Sequence, residues 1–309
     1  MELRRKKGFI SEIVNHKMLY IMFLPVGLYF LIFAYLPMPG IVIAFKQYTY
    51  SGGIFGSEWN GVENFRYFIE SGKLVQVTLN TVLYNLIFLG ANTIFSVLAG
   101  ILLAEMAGKY FKKIAQTFIF LPYFISWVTV SVIFYNIFSS NYGLLNNILR
   151  SLGMHPIDIY STPGVWLFLL PVFYVWKGIG LQSVLYMSAI TGIDHECYES
   201  AKVDGATVFQ RIRMITLPLL TPTIITLVLL GLSRIMRGEF DMFYQLIGNN
   251  GMLADKTDII DTLVYRSLIY MSDFGMASAA GFYQSVLCFV FILLANWAVK
   301  KYESDYALF

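Results

Sequence analysis

Apolar positions in this chain come in long unbroken runs, separated by short polar intervals rather than by alternating stretches. A helix needs about 20 predominantly apolar residues to cross a hydrocarbon core of roughly 30 Å. Runs of that kind fall at 18–36, 79–103, 114–138, 164–192 and 276–299, and a shorter one at 220–232 continues into polar residues. The pattern predicts six transmembrane helices. The fourth run contains Lys177, and the fifth runs into Arg234 and Arg237, which leaves its outer end the least defined boundary. The first run follows "RRKK" with no small-residue cleavage site after it, so it reads as a retained helix and not as a signal peptide.

Composition agrees with this reading. Of 309 residues, 57% are hydrophobic and 13% charged, against about 25% charged in soluble domains. One membrane domain, 18–299, is expected between a short leading segment, 1–17, and a tail, 300–309. Lys and Arg concentrate in cytoplasmic loops. With an inner amino terminus, the inner segments (1–17, 107–113, 194–219 and 300–309) hold 13 of them in 60 residues, and the outer segments (37–77, 139–163 and 234–275) hold 8 in 108. Both termini are therefore expected in the cytoplasm.

The inner segment 194–219 is unusually polar, with Glu199, Lys202, Asp204, Arg211 and Arg213 close together. Asp194 is placed to cap a short helix and Gly205 to end it in a left-handed turn. Asp204 is expected to cap a second helix, with Val208, Ile212 and Ile215 as its apolar face. Pro218 and Pro222 are expected to punctuate the return to the membrane.

These residues also carry a family pattern. Glu199-Ser200-Ala201, Asp204-Gly205-Ala206, then Ile215 and Leu217-Pro218 resemble the cytoplasmic EAA loop of binding-protein-dependent ABC import permeases, E-A-A-x-x-D-G-A followed by I-x-L-P. Ser200 stands where that family usually has Ala, and Ile212 where it often has Phe. The stretches 35–48, 142–154 and 261–286 resemble its carbohydrate branch, in particular permeases for polysaccharides and complex oligosaccharides.

The resemblance implies an all-α, six-helix type I ABC importer permease fold in a bacterial cell membrane. It makes the loop 194–219 a coupling helix docked on a separate ATPase. Glu199 would meet a basic group there, Ala201 and Ala206 would keep the surface low, and Gly205 would make the turn. The implied assembly holds a second permease, expected to be a different chain, two ATPase subunits that bind ATP and Mg, and an extracytoplasmic binding protein that delivers an oligosaccharide.

The chain's own chemistry is sparse. A phosphate-binding loop ends in Gly-Lys-Ser or Gly-Lys-Thr, whereas Gly72-Lys73 and Gly108-Lys109 are followed by Leu74 and Tyr110. ATP hydrolysis is thus assigned to a partner. His16, His155 and His195 lie at or beyond span ends, and Cys197 and Cys288 lack paired spacing, so neither a metal site nor a disulfide framework is suggested. A membrane-embedded enzyme is set aside on these grounds, and no nucleic-acid partner is expected. The competing readings are an ion-coupled carrier without an ATPase, which has no reason to own a coupling loop, and an ABC permease for a non-sugar solute.

For the substrate pathway, Tyr174, Trp176, Lys177 and Gln182 cluster in the fourth run, a mix that can stack on sugar rings and bind their hydroxyls. An intramembrane ionisable residue is a functional candidate by default, which puts Lys177 first. Arg234, Arg237, Glu239 and Asp241 follow at the outer end of the fifth run. The two arginines with Lys177 suggest an acidic sugar. The ordinary alternatives are interfacial aromatics, a snorkelling lysine and mutual salt bridges. Amphipathic helices are expected in the outer segments, at 143–154 and 256–270, with an aromatic amphipathic patch at 51–68.

Overall fold

The computed structural model describes residues 16–70 and 72–302, so the leading segment 1–17 and the tail 300–309 lie largely outside the described residues. Helix α1 (Lys17–Phe30) continues through a π turn, Leu31–Tyr35, and a 3-10 stretch, Met38–Phe45. Its prolines explain the changes of pitch. A proline inside a helix has no N–H to donate and crowds the carbonyl four residues back. The widened turn, in which the Leu36 amide bonds to the Leu31 carbonyl, comes just before Pro37. The first span therefore runs Lys17–Phe45, beyond the expected 18–36, and α1 buries none of its residues.

A two-residue antiparallel ribbon, β1 (Lys46–Gln47) against β2 (Glu58–Trp59), pairs Lys46 with Trp59. After it come α2 (Glu63–Glu70), α3 (Lys73–Glu105), α4 (Lys109–Phe120), α5 (Trp127–Phe138), α6 (Leu144–Ser151) and α7 (Pro163–Thr191). The chain then forms α8 (His195–Val203), α9 (Val208–Arg211), α10 (Leu217–Leu232), α11 (Phe240–Ile247), α12 (Ile260–Ile269) and α13 (Phe274–Tyr302). The amphipathic helices expected in the outer segments are α6 and α12. Ile259, Ile260 and Leu263 bury against the spans.

Five described helices are long and apolar enough to cross a membrane, and a bent pair of helices, taken as one span, is a sixth candidate. The break corrects the expectation of one straight helix over 114–138. Lys109–Phe124 and Trp127–Phe138 meet at 93°, because Pro122 tightens the chain into a 3-10 turn, Ile125 is extended, and Ser126 caps α5 by accepting from the Thr129 amide at 3.2 Å.

Between membrane helices there is little hydrophobic drive to associate, and small residues that let backbones approach take its place. The α3–α7 pair shows this. A Cβ at Gly100 would stand 2.9 Å from Tyr186 Cβ and 3.0 Å from the Ser183 carbonyl oxygen. Val97, Ile101, Tyr186 and Ile190 pack around that contact with Leu220 of α10. Towards the other end of α3, Tyr84 and Phe88 meet Phe134, Trp166, Leu170 and Phe243. Val77 joins Ile235, Met236, Ile260, Met276, Ala279 and Ala280 in a third cluster.

Candidate translocation surface and coupling loop

The chain leaves α10 at Leu232 and does not re-enter a helix until Phe240. Non-helical backbone near a bilayer is tolerated where protein satisfies it or a cavity hydrates it, and here side chains from three distant helices do so. Asn85 of α3 donates through Nδ2 to the carbonyls of Ile235 at 2.7 Å and Arg237 at 3.0 Å. Gln284 of α13 donates to Met236 O at 2.7 Å and to Asp261 Oδ2 at 3.0 Å, and the same carboxylate accepts the Gly238 amide at 2.7 Å. Cys288 Sγ reaches Ser233 O at 3.2 Å. Burial raises the Asp261 carboxyl above the usual carboxylate range, while the Gly238 amide and Gln284 pull it back.

Held this way, the segment walls a cavity of about 570 Å³ whose polar lining includes Asn85, Gln182, Ser233, Arg234, Arg237 and Glu239, with Tyr174 beside them. A second cavity of about 220 Å³ shares Tyr174, Gln182 and Glu239 and adds Asn92, Tyr123, Trp127 and Lys177. Tyr174 stacks on Phe88 with centroids 4.4 Å apart. Gln182 accepts from Asn92 Nδ2 at 2.9 Å. Arg234 and Arg237 are exposed and make no ion pair with any described residue, so the mutual salt bridging considered from sequence is absent among the described residues. Glu239 lies beyond the end of α10. Burial raises its carboxyl above the ordinary range, Asp241 pushes the same way, and Lys177 opposes both.

The structure thus brings together Tyr174, Lys177, Gln182, Arg234 and Arg237, and separates two other candidates from them. Trp176 borders neither cavity, packing edge-on to Phe173 with 40% of the residue exposed. Asp241, in the first turn of α11, is exposed and borders neither cavity. Lys177 differs from the expectation in another way: its ammonium donates to the backbone carbonyls of Tyr123 at 2.9 Å and Ile125 at 2.6 Å. Asn85, Asn92 and Gln284 were not singled out from sequence as site residues, whereas Glu239 was named with the charges at the end of the fifth run and does line both cavities. Their signal was present, since amides inside otherwise apolar runs seek partners there.

The loop 194–219 is assembled from local signals. Asp194 accepts the Glu196 amide at 3.0 Å, capping α8 as expected. At the other end Gly205 takes φ +78, its amide bonds to Lys202 O, and the Ala206 amide reaches back to Ala201 O. These are the paired bonds of a Schellman ending. The second cap differs from the expectation: Asp204 closes α8, and Thr207 caps α9 through a reciprocal box with Gln210. Pro218 and Pro222 do not interrupt the chain. A π turn, Ile212–Thr216, absorbs Pro218, so Val208–Leu232 is one continuous helical span.

Glu199, Ser200, Asp204 and Gly205 are exposed, Ala201 and Ala206 half-buried. Beside them Val203, Phe209 and Met214 are 88%, 70% and 74% exposed, an apolar element of the loop surface that the sequence pattern did not mark. Ile215 and Leu217 turn inward, Pro218 outward. Tyr198 OH lies 3.0 Å from Thr216 Oγ1, tying α8 to the π turn.

Comparison with known proteins agrees with this architecture. Protein LplB of Bacillus subtilis (strain 168) is 32% identical over 298 residues, 96% of this chain and 93% of that protein. The polygalacturonan/rhamnogalacturonan transport system permease protein YteP of the same organism is 31% identical over 301 residues, 97% and 93% of the two chains. A chain in the crystal structure of a bacterial alginate ABC transporter, in complex with an alginate pentasaccharide-bound periplasmic protein, superposes with a TM-score of 0.84 at 30% identity, covering 96% of this chain and 98% of that one. The family described as binding-protein-dependent transport system inner membrane component matches residues 96–304, from the last third of α3 through the loop and past the end of α13, and this multi-pass protein belongs to that family, the permease subunits of ABC importers.

Proposed function

We propose that this permease carries oligosaccharide or polysaccharide fragments bearing carboxylates. The observation that carries the reading is the pair Arg234 and Arg237, exposed on the larger cavity and without ion-pair partners among the described residues. Guanidinium forks match carboxylates in bidentate geometry. The amides of Asn85 and Gln182 and the ring of Tyr174 add the hydroxyl-binding and apolar contacts that a sugar needs. A solved relative is described as involved in the import of the acidic polysaccharide alginate, which supports the same chemistry.

The wider machine is part of this proposal. Two ATPase subunits hold ATP and Mg, one of them docking on the loop 194–219, a second permease completes the pathway, and an extracytoplasmic binding protein delivers the sugar. Glu199 and the exposed Val203 and Phe209 offer one ATPase a charged and an apolar contact.

Uptake into proteoliposomes containing the whole importer tests the substrate reading. Uronate oligosaccharides should be taken up, and neutral sugars of equal length should compete weakly. Arg234→Gln with Arg237→Gln should erase that preference by about tenfold or more. Full competition by neutral sugars would refute the carboxylate reading. Co-purification tests the coupling: wild type should retain the ATPase, and Gly205→Val and Glu199→Lys should lose or uncouple it.

A further inference from the structure

Lys177 was expected to touch substrate, yet two of its three donors bond the backbone of a neighbouring span. The 93° bend between Lys109–Phe124 and Trp127–Phe138 ends a helix in the middle of an apolar pair long enough to cross a membrane. Carbonyls at a helix end have no partner in their own helix, and in the hydrocarbon region water does not replace one. Lys177 Nζ supplies the missing donors to Tyr123 O at 2.9 Å and Ile125 O at 2.6 Å. The same ammonium stands 5.7 Å from the Tyr123 ring centroid and 5.4 Å from that of Trp127, so it is held on both sides of the break.

One turn further along α7, Gly180 makes a second and independent contact with the broken span. A Cβ there would collide with the Ile119 carbonyl and stand 2.6 Å from Phe120 Cα. Backbone lies against backbone at this point. Gly180 is buried and borders neither cavity, so its closeness serves packing and not sugar binding.

The position of α7 in the chain gives these contacts a function. The helix runs without interruption from Pro163 to Thr191, and the coupling helix α8 begins at His195. From Lys177 to the end of α7 is 14 residues, about 21 Å of continuous helix at 1.5 Å per residue. We infer that Lys177 and Gly180 form a clasp through which movement of the loop 194–219 is passed to the broken third span, making Lys177 a positioning residue for transport rather than a sugar contact. The inference rests on the proposal that an ATPase moves that loop.

The test uses the complete importer in proteoliposomes with its binding protein, measuring ATP hydrolysis and sugar uptake together for wild type, Lys177→Met, Lys177→Arg and Gly180→Ala. Lys177→Met and Gly180→Ala should keep ATPase capture and binding-protein-stimulated hydrolysis, while sugar taken up per ATP falls by about tenfold or more at unchanged KM. Lys177→Arg, which keeps charge and donors, should recover part of the uptake. A raised KM with intact maximal uptake in Lys177→Met would mark a sugar contact and overturn the clasp, as would wild-type uptake per ATP in Gly180→Ala. Should Lys177→Met not accumulate, Gly180→Ala, which removes no hydrogen bond, decides alone. Failure of the importer reading has a separate signature: wild type itself shows no ATP-dependent uptake, and the clasp then falls with it.

Discussion

The fifth span, Val208–Leu232, is flanked by two irregular segments that are stabilised in opposite ways. At its amino-terminal end, the inner one by the expectation from Lys and Arg, the turn between α8 and α9 is closed by residues within five positions of one another: Gly205 to Lys202, Ala206 to Ala201, Thr207 with Gln210. At its outer end the segment 233–239 is closed by Asn85, some 150 positions earlier, and by Asp261, Gln284 and Cys288. The inner turn faces outward and relies on backbone conformation. The outer one walls a cavity, where an unpaired carbonyl has far less access to water. The contrast teaches that the exposed loop 194–219 is built to stand alone, while the segment that walls the cavity depends on side chains from three other helices.

Substitutions can sharpen or break that contrast. The largest effect is expected for Asn85→Leu, which strands two carbonyls and should cost about 2–4 kcal/mol, read as a lowered midpoint of thermal unfolding in detergent. A change within about 0.5 kcal/mol would show that the outer segment does not depend on α3. Gln284→Leu strands the Met236 carbonyl and removes a donor to Asp261, so about 1–3 kcal/mol is expected by the same measurement.

Smaller, confined effects are expected at the inner end. Gly205→Val forces a β-branched residue to φ +78, at roughly 1–2 kcal/mol. Hydrogen exchange should rise in α8 and α9 while global unfolding changes little. Global destabilisation equal to that of Asn85→Leu would erase the distinction between the two ends. Thr207→Ala should cost about 1 kcal/mol. Asp204→Ala should stay within about 0.5 kcal/mol, because the capping oxygen for α9 comes from Thr207.

The same contrast decides what the sequence revealed. Asp194 and Gly205 act through neighbours a few residues away, and their roles were legible in a string of letters. Asp204 was misassigned as the second cap because both Asp and Thr favour that position, and only the φ, ψ of residues 204–207 separates them. The six crossings were visible as apolar runs, yet the break at Ile125–Ser126 was not, since Pro122 alone is compatible with a gentle kink. Arg234 and Arg237 stood out as charges. Asn85 and Gln284 did not, because each is paired with backbone carbonyls that no side-chain pattern announces. Lys177 was noticed for its charge, but its bonds to main-chain oxygens of another helix were not legible for the same reason.

Helix α1 adds a consequence for biosynthesis. Membrane helices can insert first and associate afterwards, and the first span buries none of its most apolar window, whereas Lys73–Glu105 buries 44% of its own. The leading helix therefore needs none of the later ones to be stable in lipid. It can settle in the bilayer before α3 to α13 have packed together, so anchoring this helix and assembling the bundle are separable steps.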